Sequence, residues 1–214
     1  LLPCRCLPTP ALLPSSVSFK EYIMSKELAK STDTVTAGIL AGTRPVAKAR
    51  AGGVYRVECV GADGKVKWAE ESSNLVVNQG LQDMVAAYLD AATQTTVWYL
   101  GLITGPGSGT TIAATDTLAS KAWTEFTNYT GNRKTATFGT ATTADPSVID
   151  NSASPASFAI TGAGGTVAGA FLASVATGTS GILFSASDFQ SPGDRVVVSG
   201  DTLNVTYTFS LDAA

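Results

Sequence analysis

The chain has 214 residues, of which 14% are charged, and 14 Lys and Arg against 17 Asp and Glu give a formal net charge of −3. This balance lacks the positive field that holds proteins on nucleic acid, so we expect no nucleic-acid partner. There is no histidine, and the three cysteines, Cys4, Cys6 and Cys59, form no C-x-x-C pair, so the sequence predicts no metal site, no cofactor and no disulfide framework.

The first 23 residues are rich in Leu and Pro. Four prolines fall among them, at Pro3, Pro8, Pro10 and Pro14. They interrupt the apolar run that a secretory signal needs. No segment of the chain approaches the roughly 20 apolar residues of a membrane span, so we expect no membrane partner. Met24-Ser25-Lys26-Glu27 looks like an ordinary protein start, which predicts that residues 1–23 are an upstream extension or a non-native leader.

Residues 24–53 consist largely of Ala, Thr, Lys, Arg and Gly, with little apolar periodicity. This composition predicts an extended N-terminal arm that orders on a partner's surface. A terminus without function is the other interpretation of the same composition. The candidate partner-binding residues are the arm's cations, Lys26, Lys30, Arg44, Lys48 and Arg50.

Residues 54–70 predict a β-hairpin. Apolar and polar residues alternate on both sides of Asp63-Gly64, a dipeptide favoured in tight hairpin turns. The alternation turns Tyr55, Val57 and Cys59 inward. Because the chain has no histidine to activate a thiol, we interpret Cys59 as a small core residue and not as a nucleophile.

Residues 79–90 predict an amphipathic helix with Asn78 as its N-cap. Apolar residues recur at i, i+3, i+4, i+7 and i+8, at Leu81, Met84, Val85, Tyr88 and Leu89. We expect this stripe to cover one end of a β core and not to form a partner-binding groove.

The rest of the chain predicts strands and turns. Residues 96–103 are apolar on both faces, as in a central strand. The glycine clusters at 105–109 and 162–165 are interpreted as turns and not as phosphate-binding loops, because no helix pattern or Gly-Lys-Ser/Thr follows them. The predicted strands lie mainly within residues 54–70, 96–103, 134–139, 156–175, 182–186 and 195–211.

Paired carboxylates would be needed for a glycosidase. The acids considered are Asp116, Glu125, Asp145, Asp150, Asp188, Asp194 and Asp201. Asp116, Asp188, Asp194 and Asp201 have the local sequence of turn formers, so we predict no catalytic residue. A hydrolase is the function class with the least support.

An ordered set of short motifs resembles a group of small structural proteins encoded by tailed bacteriophages, over roughly residues 54 to 211. The motifs are residues 74–81 (NLVVNQGL), 98–102 (WYLGL), 123–125 (WTE), Tyr129, Arg133, 169–172 (GAFL), Phe189 and 200–203 (GDTL). The resemblance implies a virion component, foremost a capsid decoration or cement protein with a jelly-roll-like β-sandwich. It brings no catalytic residues with it.

We therefore predict a mainly β protein, with a jelly-roll-like sandwich over residues 54–214, one short amphipathic helix and the arm over residues 24–53. The expected function is non-enzymatic: binding to the major capsid protein on the capsid exterior, with self-association as a dimer or trimer at a symmetry axis. The alternative is a tail, baseplate or head-fibre component that binds a receptor or glycan through exposed aromatics such as Trp123 and Tyr129. We expect both aromatics to lie in the core instead.

Overall fold

Alternating apolar and small polar residues build two antiparallel β-sheets. The computed structural model describes residues 48–105, 112–190 and 193–213. In chain order, their elements are β1 (Ala49–Val60), β2 (Val66–Ser73), β3 (Leu75–Val76), α1 (Asn78–Leu89), β4 (Tyr99–Thr104), β5 (Thr124–Phe126), β6 (Lys134–Thr135), β7 (Ser147–Asp150), β8 (Ala156–Ala159), β9 (Gly165–Ala173), β10 (Leu183–Asp188), β11 (Arg195–Val197) and β12 (Thr202–Ala213). The predicted mainly β sandwich with one amphipathic helix is confirmed.

The first sheet has the order β2-β1-β12-β7, and β8 pairs with β12 beyond the end of β7. β1 and β12 are antiparallel along their full length, and β2 joins β1 from Val54 onward. The predicted hairpin is present, with Gly64 at φ +76° in its turn. β1 begins at Ala49, so residues 49–53, which the sequence assigned to the arm, are part of this sheet.

The second sheet has the order β3-β10-β9-β4-β5, with β11 also paired to β9 and β6 also paired to β4. The turn that leads into β9 carries Gly162 at φ +63° and Gly164 at φ +70°, so this glycine cluster is a turn, as predicted. The other cluster falls at residues 105–109, most of which lie outside the described residues.

The buried apolar residues form two clusters. One cluster lies between the two sheets, and the other lies on the face of the second sheet that points away from the first. Tyr55, Val57 and Cys59 are fully buried, as their alternation predicted. β4 is buried on both faces, since Leu102 belongs to the core between the sheets and Ile103 to a second apolar cluster. The central position predicted for this strand is therefore confirmed.

A buried polar network links the two sheets. The rings of Tyr55 in β1 and Tyr207 in β12 are stacked with their centroids 4.4 Å apart. Both phenol oxygens lie within hydrogen-bond distance of the Ser185 hydroxyl of β10, at 2.7 and 3.2 Å. Asn74 donates from Nδ2 to the Tyr207 oxygen at 2.8 Å. These bonds satisfy polar groups that would be costly to bury alone.

Helix α1 is fixed against β10 at its first turn. The Val77 N–H donates to the Phe184 carbonyl at 3.1 Å, and the Leu183 N–H donates to Gln79 Oε1 at 2.9 Å. Gly80 is the buried glycine of the helix, and a Cβ there would overlap the Phe184 carbonyl. Val77 occupies the N-cap position without a side-chain hydrogen bond, so the prediction of Asn78 as the N-cap was wrong.

Candidate functional site

The predicted partner-binding cations lie in two places. Lys26, Lys30 and Arg44 are outside the described residues. Lys48 and Arg50 are exposed at the point where the chain enters the sandwich, and Arg50 in β1 is the register partner of Asp212 in β12. These two side chains are therefore available to a partner.

Several of the candidate acids serve structural contacts. Asp116 Oδ2 accepts hydrogen bonds from Trp123 Nε1 and from the Ala113 N–H, both at 3.1 Å. Asp188 is the last residue of β10 and pairs with Gly169 of β9, so its interpretation as a turn former was wrong. No group of three His, Cys, Asp or Glu side chains in the described ranges could hold a metal ion.

Glu125 forms a two-pronged ion pair with Arg133. The Arg133 Nε and Nη2 atoms donate to the two carboxylate oxygens at 2.9 and 2.7 Å. Arg133 also donates to the carbonyls of Val175 and Gly178, at 3.0 and 2.9 Å. These four hydrogen bonds from a buried guanidinium tie the loop that contains Val175 and Gly178 to β5.

Asp201, Lys67 and Cys59 form a second cluster. Lys67 Nζ donates to Asp201 Oδ2 at 2.7 Å, and the Val198 N–H donates to the same oxygen at 3.0 Å. Burial alone would raise the pKa of Asp201, but these hydrogen bonds hold it below its ordinary value. Burial raises the pKa of the Cys59 thiol to about 11, so it stays protonated near neutral pH. The cluster stabilises a turn and provides no thiolate.

Trp123 and Tyr129 are both buried. The Trp123 ring packs against Phe171 with centroids 5.1 Å apart, and the Tyr129 ring meets Phe158 edge-on at 4.8 Å. They are core residues, as expected, and offer no surface on which a sugar ring could stack.

Four of the five residues of the apolar stripe of α1 are exposed, which contradicts the prediction that the stripe covers the core, and only Met84 packs against the core. The buried or half-buried positions of the helix lie on a neighbouring face and are Gln79, Gly80, Asp83, Met84, Ala86 and Ala87. Small residues on that face let the helix lie close to the sheet. The bulky residues, including Tyr88, consequently point away from it.

The stripe forms one wall of an apolar groove with a volume of about 740 Å³, which we call the α1 groove. The opposite wall comes from the start of β1, from β3 and from the end of β12. The lining residues are Ala49, Ala51, Asn74, Leu75, Val76, Leu81, Met84, Val85, Tyr88, Leu89 and Leu211. Six of them are large side chains with substantial exposure: Leu75 38%, Leu81 40%, Val85 58%, Tyr88 82%, Leu89 83% and Leu211 44%.

Covering this groove would release considerable free energy. The six exposed fractions amount to about three and a half fully exposed side chains, and burying them is worth roughly 5–10 kcal/mol. Association of two proteins costs an estimated 4–15 kcal/mol in lost freedom. The gain is of the same order as this cost, so a stable contact needs further surface beyond these six side chains.

The start of β1 borders this groove with an open edge. Among the described residues, Ala49 to Gly53 pair with β12 on one side, whereas β2 joins the other side only from Val54. The Gly53 carbonyl accepts the Asn74 N–H on that second side at 3.0 Å. Because backbone groups alternate along a strand, Ala49 and Ala51 direct theirs to the same side. An apolar wall and a strand edge thus meet at one place.

A second, polar groove lies on the outer face of the first sheet and has a volume of about 440 Å³. Its centre is Arg56, whose guanidinium lies 3.7 Å from Glu58 and 3.9 Å from Glu71. Asn204 and Thr206 of β12 line the same groove. Exposed ion pairs of this kind add little stability, so the groups remain available to a polar ligand.

One sequence signal could have indicated the α1 groove. The apolar alternation of β12 continues through Phe209 to Leu211, beyond the residues that face the core, and Leu211 lines the groove. The helix stripe itself does not distinguish burial in the core from exposure, because both give the same periodicity.

Comparison with family models, with curated proteins and with solved structures found no match for this chain. Helix α1, at 12 residues, is shorter than a membrane-spanning helix, and no helix of the described residues has the length and apolar character to cross a bilayer.

Proposed function

We propose that this chain is a non-enzymatic structural protein of a tailed-phage virion, which binds the exterior of the capsid and stabilises junctions between major capsid protein subunits. The single observation that supports a protein-binding role most strongly is the α1 groove. Contiguous exposed apolar residues of this kind are often functional, and protein–protein contacts are among the sites that they mark. The virion assignment comes from the motif resemblance.

The motif residues have structural tasks in the sandwich, which suits a protein without catalysis. Gly80 brings α1 against β10, and Gly101 makes room for the ring of Phe171 in the neighbouring strand. Asp201 holds the turn before β12 through its bonds from Lys67 and Val198. Residues that serve packing and turns in this way are consistent with a structural protein.

The arm supplies the contact with the shell in this proposal. Lys48 and Arg50 stand exposed where the chain enters the sandwich, and they follow three further cations in residues 24–47. Cations along an extended segment can engage acidic surface of a neighbouring subunit without a preformed pocket. Many copies on one shell add their modest contacts together.

The test is co-sedimentation of the full chain with empty capsids of the virus that encodes it, assembled without this chain. We expect saturable binding that weakens several-fold in the charge reversals Lys48→Glu and Arg50→Glu and at high salt. Lys65→Glu is the matched control, because Lys65 is exposed at the β1–β2 turn, at the opposite end of β1 from Arg50. Absence of binding by the unaltered chain would contradict the proposal.

A tail, baseplate or head-fibre component with glycan binding is the second candidate. The polar groove around Arg56 favours it, because carboxylates, an amide and hydroxyls on one face can hydrogen-bond sugar hydroxyls. Glycan-array binding that disappears in Arg56→Ala, with unchanged thermal stability, would support this candidate. Binding that persists in that variant would place the glycan elsewhere.

A further inference from the structure

We propose that the α1 groove is the self-association surface of this chain and that it pairs two copies about a two-fold axis. This inference rests on the self-association included in the proposed function and names the surface that performs it. Its test needs no capsid, so the failure of one proposal can be distinguished from the failure of the other.

The surface around α1 contains the groove and, at its rim, exposed apolar side chains that could enter the same groove of a second copy. Tyr88 and Leu89 occupy the last turn of α1 and are the most exposed large apolar residues of the described chain. They stand at the rim of the groove that they help to line. In a two-fold interface the same patch meets itself, so the aromatic ring of each copy can enter the groove of the other. Tyrosine side chains that become buried in an interface are often among the residues that contribute most to the binding free energy.

A two-fold arrangement also doubles the apolar surface that is covered. Each copy contributes the equivalent of about three and a half exposed side chains, so a dimer covers the equivalent of about seven. A single extended peptide in the groove would leave the outward tips of Tyr88 and Leu89 in water. A second copy of the chain accounts for both the groove and its exposed rim.

Charges of both signs adjoin the apolar surface. Lys48 precedes Ala49 at one wall, and Asp90 follows Leu89 at the other, and both charged side chains are exposed. Neither residue lines the groove itself, but a two-fold axis that runs along the groove sets each wall of one copy against the opposite wall of the other, which brings Lys48 of one copy towards Asp90 of the second. The open edge of β1 adds backbone donors and acceptors to the same surface.

The first experiment replaces Tyr88 in the full chain with photoreactive benzoylphenylalanine, which retains an aromatic side chain at an exposed position. We expect irradiation to give a covalent dimer whose crosslink joins position 88 to lining residues of the second copy. A crosslink within one chain, to residues 1–47, would overturn the proposal and identify the chain's own N-terminal segment as the occupant. A monomer without crosslinks would also overturn it.

The second experiment measures the dimer dissociation constant by sedimentation equilibrium. Leu89→Arg should raise it on the order of 100-fold, because each substitution occurs twice in a two-fold interface. Val196→Arg is the matched control, since Val196 is 67% exposed on β11 and does not line the groove. Circular dichroism of both variants tests whether each of them is folded. Equal dissociation constants for Leu89→Arg and the unaltered chain would refute the proposed surface.

Discussion

Gly101→Ala should destabilise the sandwich, because the added methyl group has no space. Gly101 in β4 is the register partner of Phe171 in β9, and a Cβ on Gly101 would overlap the Cζ and Cε1 atoms of that ring. The ring cannot move away easily. It is fully buried, packs against Trp123 with centroids 5.1 Å apart, and has the Arg133 guanidinium 5.2 Å from its centroid.

The expected magnitude follows from two opposing effects. Overpacking a filled core costs about 1–3 kcal/mol, and the constraints on Phe171 favour the upper part of that range. Replacing glycine by alanine restricts the unfolded chain and returns about 0.4–1 kcal/mol. The net loss should be about 2 kcal/mol, which corresponds to a decrease in Tm of about 4–8 °C for a unit of this size.

Differential scanning calorimetry or chemical denaturation measures this loss. Gly52→Ala is the control, because Gly52 also lies in a strand, has no positive φ, and has nothing within 4 Å of the added Cβ. Phe171→Leu combined with Gly101→Ala should recover part of the loss, so that the double variant is more stable than additivity predicts. The reasoning fails if Gly101→Ala and Gly52→Ala have the same stability.

Three further predictions concern polar groups in the core. Asn151 lies between β7 and β8, where its side chain accepts a hydrogen bond from the Tyr207 N–H of β12 and donates one to the Val205 carbonyl. Asn151→Asp removes the donor, so it should lower the free energy of unfolding in urea by about 1–3 kcal/mol. An unchanged urea midpoint would exclude this role for Asn151. The pKa of Asp201 is lowered in the folded chain, so its contribution is present above its unfolded value of 3.8 and is lost as the pH falls through the native value. The difference in unfolding free energy between the unaltered chain and Asp201→Asn should therefore be largest near neutral pH and shrink below pH 3.8; a constant difference would contradict this. The Cys59 thiol, with a pKa of about 11, should resist a thiol reagent at pH 8 in a Cys4→Ser, Cys6→Ser background until the chain is unfolded, and rapid native labelling would contradict its burial.

Long, regularly alternating segments were predictable from the sequence. The β1–β2 hairpin follows from Asp63-Gly64 between two alternating runs, and the burial of Leu203, Val205 and Tyr207 follows from the period of two in β12. In such a strand the alternation of apolar and polar residues is enough to predict which face of the sheet each side chain occupies.

Short strands were not predictable. β3, β5 and β7 contain two to four residues, and each pairs with one part of a longer strand. Their position depends on tertiary partners, such as Asn151, whose side chain supplies hydrogen bonds to β12 where β7 ends. No local pattern encodes such a contact, because the partner is 56 residues away in sequence.

The exposure of the α1 stripe was not predictable for a related reason. The periodicity of α1 identified its apolar residues correctly, but the helix docks through Gly80 and Met84, and the stripe that includes Val85 and Tyr88 remains exposed. The face of α1 that packs on the sheet is the one where its backbone can come closest to Phe184. That face contains Gly80, because a Cβ at this position would overlap the Phe184 carbonyl. The arm's cations at Lys48 and Arg50 were identified from composition, but their exposure at the start of β1 required the structure.

The most direct test of the capsid-binding proposal is the thermal disruption temperature of empty capsids at increasing concentrations of the full chain. We predict that the temperature rises and then saturates at a copy number set by the symmetry of the shell. A disruption temperature that stays constant while the chain is in excess would contradict the proposed stabilisation of the shell.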